Sequence, residues 1–195
     1  MASFSTARVP RRDAQQNRQH ILDIAGQAFS TSGVDVSMDA IARQTGLGSG
    51  TLYRHFPNKD ALLAALLVPF HEELEEKRAA IEAATVDPAL MLERWIDALG
   101  DWMLAYDGLS EPLRAAWSAP TSALRPTCES LIETTWKFLR AAQDEGLAQP
   151  TLTGQDIFLG SLAVAWASNR TTAQTGTRDI LRSLLKNGWA TGQKN

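Results

Sequence analysis

The 195-residue sequence predicts an all-α protein of nine helices, and three observations carry the prediction. Ala, Leu, Glu, Arg and Gln dominate, and all are good helix formers. Alternating runs of β-branched residues are absent. Glycine, proline and Ser/Asp/Asn capping residues cut the chain into pieces of helical length. An apolar content of 44% supplies a core for one large domain or two small ones.

The first helix spans residues 13–30, with Ile21, Leu22, Ala25, Ala28 and Phe29 on its apolar face, and Gly33 breaks it. Ser37 N-caps the second, residues 38–44, which Gly46 ends. Residues 49–55 form a short third helix stopped by Pro57. Asn58 caps the fourth, residues 59–84, which runs from the apolar stretch ALLAALLVPF into the charged EELEEKRAAIE. Asp87-Pro88, a cap followed by proline at the first helical position, opens a fifth helix to about residue 106. Residues 111–118 form a short helix ended by Pro120. Residues 122–145 form a long one that carries Pro126 near its start and stops at Gly146. Thr153 or Gly154 starts the eighth, to residue 169, and Thr177 the ninth, to residue 189. The joint between an N-terminal bundle (1–60) and a larger one (61–195) falls within the fourth helix.

One cysteine, Cys128, excludes an intrachain disulfide and fits a reducing compartment. The start, MASFSTARVPRR, holds no apolar run of the signal-peptide kind. The longest apolar run is about half the roughly 20 residues a membrane span needs, so the expectation is a soluble cytoplasmic protein without a membrane partner. Only His20, His55 and His71 are histidines, and none has metal-ligand or triad-like spacing. No catalytic residue, metal or cofactor is expected. The net charge of −3 is uneven: residues 1–59 carry seven Lys/Arg against four Asp, and the rest 12 Lys/Arg against 18 Asp/Glu. A basic end on an acidic body points to a polyanion met by the first third alone, or to chance clustering on solvated faces.

Two short helices around a glycine turn are the helix-turn-helix pattern. It needs a small residue where the helices touch, a turn residue tolerant of positive φ and an apolar anchor on the second helix. Ala42, Gly46 and Leu52 fill those roles, with Ile41 and Leu47 along the seam. The second helix of such a unit enters the DNA major groove N-terminus first, placing Ser49, Gly50 and Thr51 nearest the base edges. Tyr53 can touch a thymine methyl or donate to a phosphate, while Arg54 and His55 suit phosphate oxygens. Lys59 adds charge at a helix N-terminus that already favours an anion. Tyr53 taken alone would serve equally as a half-buried ring over the core.

Residues 36–66, VSMDAIARQTGLGSGTLYRHFPNKDALLAAL, strongly resemble the DNA-binding domain of the TetR family of bacterial transcriptional regulators, and residues 18–33 resemble that family's first helix. The resemblance implies an Ω-shaped all-helical homodimer, each protomer with a three-helix head and a bundle that binds a small molecule and dimerises. Carried over, Ser49, Gly50, Thr51 and Tyr53 fall where members contact bases or adjacent backbone. Arg54, His55 and Lys59 fall on phosphate positions, and Ser37 touches backbone. Two residues depart from the pattern: Gly50 removes a side chain that often reads a base, and Asp39 is a poor neighbour for phosphate. The arm at residues 6–12, TARVPRR, would follow the minor groove or serve as a solubilising tail.

In the body, Met91, Trp95, Leu99 and Trp102 share one stripe, as do Leu124, Cys128, Leu131, Thr135 and Phe138. With Trp117, Phe158 and Trp166 the bundle is unusually aromatic. Any one of these residues reads equally as core. Together Trp95, Trp102, Met103, Cys128, Thr135, Trp136 and Phe138 would suit a flat, mostly apolar effector. Cys128 reads as a buried bystander rather than a thiol sensor. Gly160, Ala163 and Ala167 give the eighth helix a smooth stripe, and Ile180 and Leu184 lie on a broad apolar face of the ninth. Paired across a two-fold axis these would form a four-helix dimer interface; simple intrachain packing is the alternative.

The leading expectation is a repressor that leaves a palindromic operator when a small, largely apolar molecule binds the bundle. The alternatives are an activator of the same architecture, or a helical adaptor that binds protein and ignores DNA sequence.

Overall fold

The structure, a computed structural model, describes residues 9–168 and 176–191. Among them are ten helices, α1 (Val9–Ser32), α2 (Met38–Thr45), α3 (Ser49–His55), α4 (Lys59–Leu66), α5 (Val68–Ala84), α6 (Pro88–Trp102), α7 (Ser110–Ser118), α8 (Arg125–Asp144), α9 (Gly154–Ala167) and α10 (Thr177–Trp189). An isolated bridge, Ala148 to Ala190, ties the residues after α10 to the α8–α9 loop.

The count of nine is corrected at Leu67. Pro69 has no N–H and its ring clashes with the carbonyl four residues back, so the expected 59–84 helix ends at Leu66 and restarts as α5 with Pro69 in its first turn. Helix α1 begins at Val9 rather than Asp13. Residues 9–12 of the expected arm are therefore helical, and residues 6–8 lie outside the described ones. Helix α6 stops at Trp102, and Met103 to Asp107 form a corner instead of its last turn.

Helices α1 to α4 share a core of Ile21, Ala25, Phe29, Ile41, Leu52, Phe56, Leu62 and Leu63. This head is seated directly on the body. Gly33, at φ +74°, leaves room for the Asp107 carbonyl, which accepts from Val34 N–H at 2.9 Å; a Cβ on Gly33 would lie 3.0 Å from that oxygen. Tyr106 meets the rings of Phe29 and Phe70 edge-on at 5.9 and 5.5 Å. The Ser122 hydroxyl donates to Asp60 at 2.6 Å across the same joint.

In the body, Trp95 stacks on Phe138 at 5.5 Å, and its indole N–H donates to Thr135 Oγ1, which donates onward to the Leu131 carbonyl. Helix α10 packs on α9 and reaches α6 through charge: Arg178 and Arg182 pair with Asp101, Arg182 also with Asp97, and Lys186 with Glu93. These pairs are partly exposed, so they fix register more than they stabilise.

Candidate nucleic-acid interface and effector site

Helix α2 is fixed at both ends by its own sequence. Ser37 Oγ accepts the Ala40 N–H, and Gly46 adopts φ 66°, a left-handed conformation that costs a residue with a side chain about 1 kcal/mol. Gly48 then caps α3. Leu52 and Phe56, at 0% and 2% exposure, pin α3 to the core. On a helix of 3.6 residues per turn that places Ser49, Gly50, Tyr53 and Arg54 on the solvent face, with Thr51 and His55 half-buried at its edges.

Tyr53 and Arg54 on this face are already engaged within the head. The Tyr53 hydroxyl donates to Asp39 Oδ1 at 3.1 Å, and that bond holds its pKa above the ordinary tyrosine value. Arg54 folds back, Nε donating to the Gly50 carbonyl and a terminal nitrogen to Thr51 Oγ1. Sequence spacing alone cannot show that α2 and α3 bring Asp39 and Tyr53 into contact, although the pair is separated by only 14 positions.

Lys59, expected at a phosphate position, is part-buried and bonded within the head. Its Nζ donates to the Val34 carbonyl at 2.7 Å, bracing the α1–α2 turn against α4. Lys59→Ala is therefore expected to cost stability as well as positive charge. The loss of a charge-assisted bond to backbone is worth about 1–2 kcal/mol, or a fall of several degrees in Tm. An unaltered thermal midpoint would show that the bond contributes nothing.

The aromatic set of the body is brought together, but not around an opening. Trp95, Trp102, Met103, Cys128, Thr135 and Phe138 are all 5% exposed or less and fill the interior. The correction has a simple cause: stripes from α6 and α8 face each other, and aromatic area is used to close the gap between them. Burial pushes the Cys128 thiol up to about 11, so it carries no thiolate near neutral pH. Trp136 lines an open groove, about 410 Å3, shared with Trp117, Ile132 and the start of α9.

The dimer set also divides. A Cβ on Gly160 would stand 2.7 Å from Leu185 Cδ1, so Gly160 serves the approach of α10 to α9 within one chain, contrary to its expected place at a subunit face. Ala163 is exposed and Ala167 half-buried. Ile180 and Leu184 are 64% and 61% exposed. Trp166, read from sequence as part of the bundle's aromatic content, is 67% exposed on α9, at a groove shared with Glu111 and Arg114 of α7. A periodic face announces burial but not by what.

Among the described residues no group of three or more His, Cys, Asp or Glu is placed to hold a metal ion, and no helix is long and apolar enough to cross a membrane.

A capped helix, a left-handed glycine turn and a core-pinned second helix, set on a helical body, define a helix-turn-helix protein. Residues 21–66 match the family model described as bacterial regulatory proteins, tetR family. Residues 87–190, more than half of the chain, match the SbtR-like C-terminal domain of transcriptional regulators. The chain belongs to the TetR family. The HTH-type transcriptional regulator SAUSA300_2515 of Staphylococcus aureus is 51% identical over 53 residues, which are 27% of this chain and 29% of that protein. The chain thus spans under a third of the curated relative it matches. Solved structures agree over most of the length. The TetR regulator SCO0520 of Streptomyces coelicolor superposes with a TM-score of 0.55 at 27% identity, over 89% of this chain and 99% of that one. The fold is shared with Thermus thermophilus FadR, solved with lauroyl-CoA, at a TM-score of 0.60 and 17% identity over 88% and 94% of the two chains.

Proposed function

We propose that this protein is a ligand-responsive transcriptional regulator that represses from a palindromic operator, with residues 1–60 binding DNA and residues 61–195 binding effector and partner subunit. The carrying observation is the outward face of α3, where Ser49, Gly50, Tyr53 and Arg54 stand clear of a core that Leu52 and Phe56 hold fixed. Such a helix fits the major groove, Ser49, Gly50 and Thr51 foremost. Ser37, Arg54, His55 and Lys59 would serve phosphates, each at the cost of its present hydrogen bond where it has one.

Dimerisation supplies the second half-site, about 34–36 Å away along the groove. The exposed apolar residues Trp166, Ile180 and Leu184 support α9 and α10 as the subunit face. The effector is a small, largely apolar molecule, and the Trp117–Trp136 groove is where it finds aromatic surface without displacing core. The head–body joint at Val34–Asp107 and Asp60–Ser122 is the route by which a change in the body resets head spacing.

The test is binding of a labelled DNA duplex across a salt series, followed by anisotropy. A regulator loses affinity steeply between about 50 and 200 mM salt, because each neutralised phosphate releases counterions. A protein-binding adaptor gives no such slope, and its absence rejects the reading.

A further inference from the structure

We propose that the Trp117–Trp136 groove takes an organic cation, its flat apolar body against the two indoles and its positive charge beside Glu129 and Glu133. The inference rests on the reading above that this groove is the effector site, and it names the chemistry of the ligand. On α8, Glu129, Ile132, Glu133 and Trp136 follow one another at i, i+3, i+4 and i+7, so they share one face of the helix. Trp117, in the last turn of α7, supplies the second ring. Gly154 brings the start of α9 against this face: a Cβ there would lie 2.8 Å from the Ile132 carbonyl, so the approach requires a residue without a side chain.

Among the described residues, the charges lining the groove are both carboxylates. Glu129 is held by Arg125 at 2.8 Å, whereas Glu133 has Lys137 at 3.4 Å, and those last two side chains are 72% and 71% exposed. An exposed pair of that kind contributes little, so Glu133 can exchange Lys137 for a ligand cation at small cost. Both rings already accept cations. The Arg125 guanidinium carbon lies 5.6 Å from the Trp117 centroid, and that of Arg140 lies 6.0 Å from the Trp136 centroid. Indole is the best aromatic partner for such contacts, because its face carries negative potential. The competing chemistry is an anion at the start of α9, where helix N–H groups favour negative charge. The chain supplies that anion itself. Thr153 Oγ1 accepts the Asp156 N–H, while Asp156 accepts the Thr153 N–H at 2.8 Å and its hydroxyl at 2.7 Å. These bonds from Thr153 hold the Asp156 carboxyl below its ordinary pKa, so a third negative charge stands at the α9 end of the groove at neutral pH.

The probes are N-methylacridinium and anthracene-9-carboxylate, flat aromatics of closely similar size and opposite charge. Binding to the full chain is followed by isothermal titration at about 0.05 M salt, where screening leaves exposed charges effective. The cation is expected to bind about 10-fold tighter than the anion, the size of one exposed charge pair together with one cation–π contact. The paired substitution Glu129→Gln and Glu133→Gln keeps side-chain size on an exposed helix face, and should weaken the cation about 5–10-fold while leaving the anion unchanged or tighter. Trp136→Ala should weaken both probes. An anion bound as tightly as the cation by the wild-type protein overturns the proposal. So does a preference that survives the paired substitution, because it then reports the acidity of the body as a whole, with 12 Lys/Arg against 18 Asp/Glu after residue 59. In both cases the groove itself stands. If neither probe binds, or if Trp136→Ala leaves binding unaltered, the groove is not the effector site, and the ligand placement above falls with the proposal. The DNA interface is tested separately by the salt series.

Discussion

Trp95→Ala is expected to cost about 3–5 kcal/mol of unfolding free energy. Trp95 is 0% exposed, stacks on Phe138 and donates to Thr135 Oγ1, so truncation opens a cavity and leaves the Thr135 hydroxyl without its donor. Thr135→Val, nearly the same size, should cost about 1–3 kcal/mol by stranding the indole N–H instead. Denaturant unfolding at fixed protomer concentration measures both. A cost below about 1 kcal/mol for Trp95→Ala would mean that the ring sits loosely, and would return Trp95 and Phe138 to the effector site.

Paired substitution Ile180→Glu and Leu184→Glu should separate the subunits and lower affinity for a two-half-site duplex about 100-fold or more. The second head then loses the high effective concentration that tethering to the first provides. Both residues stand more than half exposed on α10, so two carboxylates there are harmless to the single chain but are buried uncompensated in a dimer. The helix itself stays docked. Trp189 is 2% exposed, Leu185 fills the space over Gly160, and Arg178, Arg182 and Lys186 hold the α6 carboxylates. Sedimentation and helical content together decide the matter: a double variant that remains dimeric places the subunit face elsewhere.

The head was legible because everything that defines it acts over short sequence distances. Ser37 caps a nitrogen three residues on, Gly46 ends α2 at its own position, and Leu52 and Phe56 lie one turn apart on one helix. These local rules and the pattern of apolar residues determined the helical class, the turn and the outward face of α3. They also marked most of the helix ends; the missed ones are the break at Pro69, hidden by the apolar run around it, the start of α1 at Val9 and the end of α6 at Trp102.

What only the tertiary structure decided is which surface covers each face. Trp95 and Trp166 are the same residue type on two apolar-rich helices, yet one is sealed and the other stands in solvent, because α6 closes on α8 around Trp95 while Trp166 edges an open groove between α7 and α9. Gly160 went to α10 instead of to a partner, and Lys59 found a carbonyl 25 residues away. The helical period records that a side wants burial, whereas the neighbour that buries it is set by how the whole chain packs at crystal-like density.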